Sequence, residues 1–169
     1  MAKVVVVDKN DRIIEAIDRD IAIQKGLIRR IARIFLFDNK GRLFLQKRSH
    51  RKKTFPNAWG SSAAGHVEEG ESYLEAAKRE LKEELGIEKA KLIRLMKFYS
   101  EADYKDIHLR EFSVLYKAVY LGEDINMDKE ETWGGKWFYP DEIEDMLKEN
   151  PNNFTQGFTI TWRKFKAKL

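Results

Sequence analysis

The sequence contains no cysteine among its 169 residues. This absence excludes disulfide bonds, thiolate metal sites and a cysteine nucleophile, and it is compatible with a reducing compartment. Long apolar runs are also missing, so we expect no membrane-spanning helix and no membrane partner. The apolar stretch within residues 1–7 is too short for a signal peptide, and we therefore expect a cytoplasmic protein.

Composition and charge are those of an ordinary globular protein, with 43% hydrophobic and 12% aromatic residues. A chain of this length is expected to form one domain over residues 1–169, as a monomer or a homodimer. The formal net charge of +4 comes from 32 basic and 28 acidic residues. This mild excess suits a polyphosphate substrate, but it gives no reason to expect a nucleic-acid partner.

Hydrophobic patterning predicts an α/β protein with a mixed sheet. Strands are predicted at residues 4–7, 12–18, 29–38, 43–46, 91–100, 110–120 and 136–139. The first two flank an Asn-Asp turn and predict an N-terminal β-hairpin, whereas Gly134 and Gly135 are expected to break the chain before the last strand. Helices are predicted at residues 20–25 and 140–149. A C-terminal helix is predicted from an apolar stripe at helical spacing, formed by Phe154, Phe158, Trp162, Phe165 and Leu169.

A further helix is predicted between two clear end signals. Ser72 with Glu75 three residues later is a capping box, which predicts a helix start at Ser72. Gly86 is suited to the left-handed conformation that ends a helix. The apolar stripe that would face the core consists of Leu74, Ala77, Leu81 and Leu85.

Three acidic residues share another face of this helix. Glu80, Glu83 and Glu84 are spaced so that their side chains lie over one another, and like charges at this spacing destabilise a helix. We expect no Lys or Arg on that face. Clustered carboxylate oxygens are ligands that Mg²⁺ or Mn²⁺ prefers, so the face is either a metal site or solvated surface charge.

A longer pattern decides between these two interpretations. Residues 65–87 carry the required residue type at every defined position of the Nudix box. These residues are Gly65, Glu71, Arg79, Glu80, Leu81, Glu83, Glu84, Gly86 and Ile87. The chain therefore resembles the Nudix hydrolases. The resemblance implies an α/β/α sandwich. It also implies that the protein hydrolyses a phosphoric anhydride and that this hydrolysis depends on Mg²⁺ or Mn²⁺.

The resemblance also implies roles for individual residues. Glu80 and Glu84 are expected to be the primary metal ligands, joined by the Gly65 carbonyl and by Glu83, which is a further ligand or the general base. Arg79 is expected to pair with Glu71 and hold the loop against the helix. The candidate catalytic residues are Glu83, Arg79 and Glu131, the last being a general base from a later loop, with neighbouring Glu130 as its alternative.

Residues that could bind the substrate precede the box. The basic segment 47–53 is a solvated loop, a nuclear signal or a phosphate-binding lip, and in the last case Arg48 and Lys53 are the candidate contacts. Trp59 could stack on a base together with Phe55, Tyr99 or Tyr104, although core packing is the commoner fate of aromatic residues. His66 is a substrate contact, a relic of another activity or a hydrogen-bonded structural histidine.

The flanking residues are similar to the isopentenyl-diphosphate isomerase-like branch of Nudix proteins. Isomerases use a Cys-Gly-His segment that reads Ala64-Gly65-His66 here, so the thiol is missing. They also use two upstream histidines, whereas this chain has Arg29 and Arg30 in the matching region. Of a later pair of isomerase glutamates, this chain has only one, Glu111. We therefore predict hydrolysis of a nucleoside-diphosphate-type substrate. The alternatives are an isomerase and a non-catalytic nucleotide-sensing module.

Overall fold

The computed structural model of the protein describes residues 2–169. Its strands are β1 (Lys3–Val7), β2 (Ile13–Asp18), β3 (Ile28–Phe37), β4 (Leu43–Arg48), β5 (Trp59–Gly60), β6 (Ala63–His66), β7 (Leu92–Tyr104), β8 (Ile107–Val119) and β9 (Thr132–Phe138). Its helices are α1 (Arg19–Gln24), α2 (Tyr73–Leu85), α3 (Pro140–Glu149) and α4 (Gln156–Ala167), with a short 3₁₀ helix at Pro151–Asn153.

The sheet is mixed and is organised around β3. This strand pairs in parallel with β8 and antiparallel with β1, β4 and β6. β1 and β2 form the predicted N-terminal hairpin, and β4 pairs antiparallel with both β5 and β9. The predicted mixed sheet with an N-terminal hairpin is therefore confirmed.

Helices cover both faces of this sheet. Alternate residues of β3 point to opposite sides, as strand geometry requires. Ala32, Ile34 and Leu36 belong to a core cluster that includes the buried residues of α2. Phe35 belongs to a second cluster with Phe158 and other residues of α3 and α4. The sheet therefore lies between helical layers, which confirms the α/β/α sandwich.

Helix α2 has the ends that the sequence predicts. The Ser72 hydroxyl accepts a hydrogen bond from the Glu75 amide, and the Glu75 carboxylate accepts one from the Ser72 amide. Gly86 adopts φ 72° at the C-terminus, which costs glycine little. Leu74 is exposed, so the buried stripe of α2 is narrower than predicted.

Three predictions about the other elements need correction. β7 and β8 form a longer hairpin than the patterning predicts. The predicted break at Gly134 and Gly135 is wrong, because both residues lie within β9. A Cβ atom at Gly135 would lie 2.1 Å from Phe44 Cζ, so the glycine makes room for an aromatic ring on the neighbouring strand. Leu169 follows α4 and is 83% exposed, so it does not extend the C-terminal apolar stripe.

No helix within residues 2–169 has both the length and the hydropathy needed to cross a membrane. The single domain over residues 1–169 stays a prediction.

Candidate active site

The candidate site forms where α2 packs across β6. Glu80 and Glu84 lie on the same side of α2, one turn apart, and both reach towards β6. A Cβ atom at Gly65 would lie 2.1 Å from Glu80 Oε1. Since Cβ atoms do not approach an oxygen so closely, only glycine at this position allows the Glu80 carboxylate to lie against the strand.

Glu84 is the more enclosed of the two carboxylates. Its Oε2 atom accepts hydrogen bonds from the Ala64 amide at 3.1 Å and from Gln46 Nε2 at 3.3 Å. Burial, reinforced by the nearby charge of Glu80, raises the pKa of Glu84 to about 8. Burial also raises the pKa of Glu80, although Arg79 opposes that shift. Two carboxylates are thus held close together in surroundings that disfavour their negative charges.

Arg79 connects the carboxylates of the site to the loop before α2. Its Nε and Nη2 atoms donate to the two Glu71 oxygens at 2.7 and 3.0 Å, which is the pairing that the sequence predicts. Nη2 also donates to the His66 carbonyl at 2.9 Å. The hydrogen bonds that Arg79 donates to Glu71 contribute most to raising the pKa of Arg79 above its ordinary value, so the guanidinium stays charged.

The expectation that no basic residue lies on the acidic face is wrong. Arg79 Nη1 lies 2.7 Å from Glu80 Oε1 and 3.2 Å from Glu83 Oε2. The long Arg79 side chain reaches both, because it precedes Glu80 by one residue and Glu83 by one helical turn. The Glu83 side chain is 59% exposed, but it shares Arg79 with Glu80, and its charge helps to raise the pKa of Glu80.

A divalent ion requires several oxygen or nitrogen donors that converge on one point. Within residues 2–169, no three His, Asp or Glu side chains are placed together so that they could hold a metal ion. Glu80 and Glu84 do provide two partly buried carboxylates of the hard-oxygen type that Mg²⁺ and Mn²⁺ prefer. Gly65, whose carbonyl is a predicted ligand, lies against the Glu80 carboxylate. The donor chemistry fits a divalent ion at Glu80 and Glu84, with Glu83 at the edge.

Basic side chains approach Glu84 from the end of β4 and from the segment that follows it. Arg48 donates to the Thr54 carbonyl at 3.0 Å and to the Thr54 hydroxyl at 3.2 Å. Burial lowers the pKa of Arg48 and also that of Lys52, and the nearby charge of Glu84 opposes both shifts. Lys53, the predicted contact, is exposed. The charge of Glu84 acts on the neighbouring Lys52, and the substrate contact of Lys53 stays a prediction.

The predicted general base belongs to the loop before β9. Glu131 is 58% exposed and forms an ion pair with Lys52, and its carbonyl accepts a hydrogen bond from the Ser49 amide at 3.2 Å. Because Lys52 also lies near Glu84, this contact places Glu131 at the rim of the same site. Glu130 is exposed on the same loop.

Comparison with known proteins identifies the family. Residues 27–158 match the NUDIX domain. The chain belongs to the Nudix family. It is 34% identical over 164 residues to an isopentenyl-diphosphate Delta-isomerase from Serratia proteamaculans, an alignment that covers 96% of this chain and 90% of the relative. It is also 36% identical over 112 residues to an uncharacterized Nudix hydrolase from Pseudomonas aeruginosa, covering 66% of each chain.

A solved structure agrees with this assignment. The DR0079 protein from Deinococcus radiodurans superposes with a TM-score of 0.81 at 25% identity, covering 96% of this chain and 98% of that one. The chain is therefore a Nudix hydrolase by family, and α2 is its Nudix helix. Nudix proteins generally use divalent metals such as Mg²⁺ or Mn²⁺.

The face of β6 opposite the Nudix helix carries a second polar cluster, which we call the arginine cluster: Arg29, Arg33, His66, Glu111 and Ser113. Arg29 Nη1 lies 2.7 Å from His66 Nε2, and Arg33 Nη2 donates to Glu111 Oε2 at 2.8 Å. Burial and the charge of Arg29 hold the pKa of His66 well below its ordinary value. His66 is hydrogen-bonded within the fold, as the structural alternative requires, and its contact with the substrate stays a prediction.

The predicted aromatic contacts are used mainly for packing. The Trp59 ring packs edge-on against Phe138 at 5.1 Å, beside the core cluster under α3 and α4. The stacking role predicted for Trp59 is therefore not supported. Phe55 contacts Tyr104 at 4.4 Å between ring centroids. Trp133, two residues after Glu131, is exposed, and no motif in the sequence points to it as a site residue.

Proposed function

We propose that this Nudix protein hydrolyses a diphosphate linkage in a nucleoside-diphosphate-type substrate, with Mg²⁺ or Mn²⁺ held by Glu80 and Glu84. The observation that carries the proposal is the convergence of these two partly buried carboxylates on Ala64 and Gly65. Buried carboxylates are ordinarily paired with a cation. Arg79 lies against Glu80, whereas the hydrogen bonds of Glu84 come from an amide and a glutamine side chain.

The basic residues around Glu84 define the side from which a substrate would approach. Arg48 and Lys52 present positive charge beside the two carboxylates, and guanidinium and ammonium groups are well suited to phosphate oxygens. When bound, a divalent ion neutralises non-bridging oxygens and activates water. The roles left to the chain are to orient the diphosphate with Arg48 and Lys52 and to fix Glu80 through Arg79.

Glu131 is our candidate for the base that accepts the proton of the attacking water. A base must lie within hydrogen-bond reach of that water, directly or through one more water molecule. Glu131 already contacts Lys52, which lies beside Glu84, so a diphosphate bound by Lys52 would lie close to the Glu131 carboxylate. Glu83 is the alternative, but Arg79 occupies one of its oxygens.

Isomerisation of isopentenyl diphosphate is the second candidate, because the Serratia proteamaculans relative bears that name. The residues of this chain argue against it. Ala64 stands where isomerases carry a cysteine, and a methyl group cannot donate a proton. Glu111 is the one carboxylate that remains from the isomerase pair, and it contacts Arg29 and Arg33. His66 contacts Arg29. Both Glu111 and His66 are therefore already bound to arginine side chains of the fold. Both observations favour hydrolysis.

Product analysis tests the proposal. The protein would be incubated with Mg²⁺ or Mn²⁺ and a panel of nucleoside diphosphates, triphosphates, sugar nucleotides and dinucleotides, and separately with isopentenyl diphosphate. We expect ³¹P NMR to show two phosphorylated products from a member of the panel, and we expect Glu84→Gln to abolish their formation. Formation of dimethylallyl diphosphate at an enzymatic rate would instead establish the isomerase.

A further inference from the structure

Trp133 is an unusual tryptophan for this protein. It is 56% exposed, whereas Trp137 and Trp162 pack in the two core clusters and Trp59 packs beside Phe138. An exposed indole forgoes a large gain from burial of apolar surface. Such a residue calls for an explanation other than packing.

The Trp133 ring is held in place despite its exposure. Its Nε1 atom donates a hydrogen bond to Asn57 Oδ1 at 2.9 Å. Its ring stacks on the His50 ring with centroids 5.0 Å apart and an interplanar angle of 22°. The backbone before it is tied to β4, because the Thr132 hydroxyl donates to the Lys47 carbonyl at 2.7 Å. His50 stacks on one face of the indole, and because 56% of Trp133 is exposed, we infer that the opposite face is open to a ligand.

This ring lies beside the residues that would bind the diphosphate. The same two chain segments build both features. One segment carries Arg48, His50 and Lys52, and the other carries Glu131 and Trp133. The two segments are joined by the pairing of Arg48 with Thr132 and by the ion pair between Lys52 and Glu131. A group attached to a phosphate at Lys52 would therefore extend along the surface that Trp133 and His50 form.

We propose that Trp133, backed by His50, is a stacking platform for the base of the substrate. This inference rests on the proposed function. It concerns the base of the substrate, whereas the residues of the Nudix box concern its diphosphate. The ligand class is a planar nucleobase, because a fixed indole with one open face offers area and π-stacking but no pattern of donors and acceptors that selects one base. The platform therefore binds purine and pyrimidine nucleotides alike.

Equilibrium binding tests the platform without relying on turnover. Calorimetric titrations with ADP, CDP and inorganic pyrophosphate would be run in EDTA and repeated with Ca²⁺, for the parent protein, Trp133→Ala and Trp133→Phe. We expect Trp133→Ala to raise the Kd of both nucleotides about 5-fold to 100-fold, the range that follows from loss of one stacked base. The Kd of pyrophosphate, which has no base, is expected to stay unchanged. Trp133→Phe should keep most of the nucleotide affinity.

Tyr139 supplies a matched control, because it is an exposed aromatic residue just after β9. Tyr139→Ala should leave all three Kd values unchanged. Equal weakening of ADP and pyrophosphate by Trp133→Ala would overturn the platform, since the effect would then come from the phosphate-binding residues. Unchanged nucleotide affinity, or no nucleotide binding by the parent protein, would overturn it as well.

The same data separate this inference from the proposed function. If Glu84-dependent hydrolysis occurs while Trp133→Ala binds nucleotides normally, the platform alone is wrong. If the base-dependent affinity requires Trp133 but no substrate is hydrolysed, the catalytic proposal alone is wrong.

Discussion

The two faces of β6 carry polar clusters of opposite character. Towards the Nudix helix, Glu80 and Glu84 bring two partly buried carboxylates against Gly65 and Ala64. On the other face, the arginine cluster places two guanidinium groups around one carboxylate, Glu111.

The difference lies in where the compensating charge comes from. The arginine cluster supplies its own cations, so its single carboxylate is satisfied within the fold. On the Nudix face, Arg79 is shared among Glu71, Glu80 and Glu83, and Glu84 is left with uncharged hydrogen-bond donors. A cation from outside the chain is therefore expected on one face of β6 only.

The largest expected effect comes from removing the carboxylate of the arginine cluster. Glu111→Gln leaves Arg29 and Arg33 buried without their anionic partner, and breaking a buried pair in this way costs about 3–5 kcal/mol. Urea unfolding should show this loss in the free energy of unfolding. Manganese affinity, measured by calorimetry on the folded variant, should not change.

A surface variant provides the control for this measurement. Glu88 forms an exposed pair with Lys82, so Glu88→Gln should change the stability little. If Glu111→Gln abolished metal binding, the separation between the two faces of β6 would be wrong.

Loss of the general base should have the next largest effect. Glu131→Gln should lower kcat by about 100-fold or more, the range typical of general-base loss, and should flatten the acid limb of the pH–rate profile. Metal affinity should be nearly intact, because Glu131 lies on the rim beside Lys52 rather than with Glu80 and Glu84. Glu130→Gln is the matched control, and it should turn over normally if Glu131 is the base. Normal turnover by Glu131→Gln would shift the role to Glu83 or Glu130.

A methyl group at Gly65 should disturb the Nudix face without removing any charge. Gly65→Ala places a Cβ atom where Glu80 Oε1 now lies, so Glu80 must move away from the strand. We expect manganese affinity to fall about 10- to 100-fold, as for other changes that misorient a metal ligand. The control is Gly60→Ala, whose Cβ atom would meet Thr155 at an ordinary 3.7 Å. Equal manganese affinity in both variants would contradict the proposed role of Glu80.

The smallest expected effect is a change in the free energy of unfolding caused by Asp11. Like Glu111, Asp11 is paired with basic side chains of the fold. Burial alone would raise the pKa of Asp11, but hydrogen bonds from Lys97, Arg30 and Tyr73 outweigh it and the pKa is lowered. A carboxylate with a lowered folded pKa stabilises the fold above its unfolded pKa, and this contribution is lost as the pH falls through the folded pKa.

Urea unfolding between pH 6 and pH 3 would measure this contribution. The free energy of unfolding should fall below about pH 4, by at most about 1.4 kcal/mol per pH unit for one proton. Asp11→Asn should lack this component of the slope. An identical pH dependence in parent and variant would show that Asp11 is not stabilised by its cations.

Features encoded locally were predictable from the sequence. The capping box at Ser72 and Glu75 and the glycine at position 86 act through neighbouring backbone groups, so the ends of α2 could be read directly. The pairing of Glu71 with Arg79 followed from the Nudix box.

Features that depend on strand register were not predictable. The arginine cluster joins side chains about 80 positions apart, since Glu111 meets Arg33 only because β3 and β8 pair in parallel. The platform formed by Trp133 and His50 likewise depends on the pairing of β4 with β9. The reach of Arg79 to Glu80 depends on its side-chain rotamer, which sequence spacing alone does not determine.

Calorimetric titration with Mn²⁺ tests the central claim most directly. We predict saturable binding to the parent protein, strong weakening by Glu84→Gln, and parent-like binding by the surface control Glu88→Gln. Equal Mn²⁺ binding by Glu84→Gln and the parent protein would contradict a metal site at Glu80 and Glu84 of the Nudix helix.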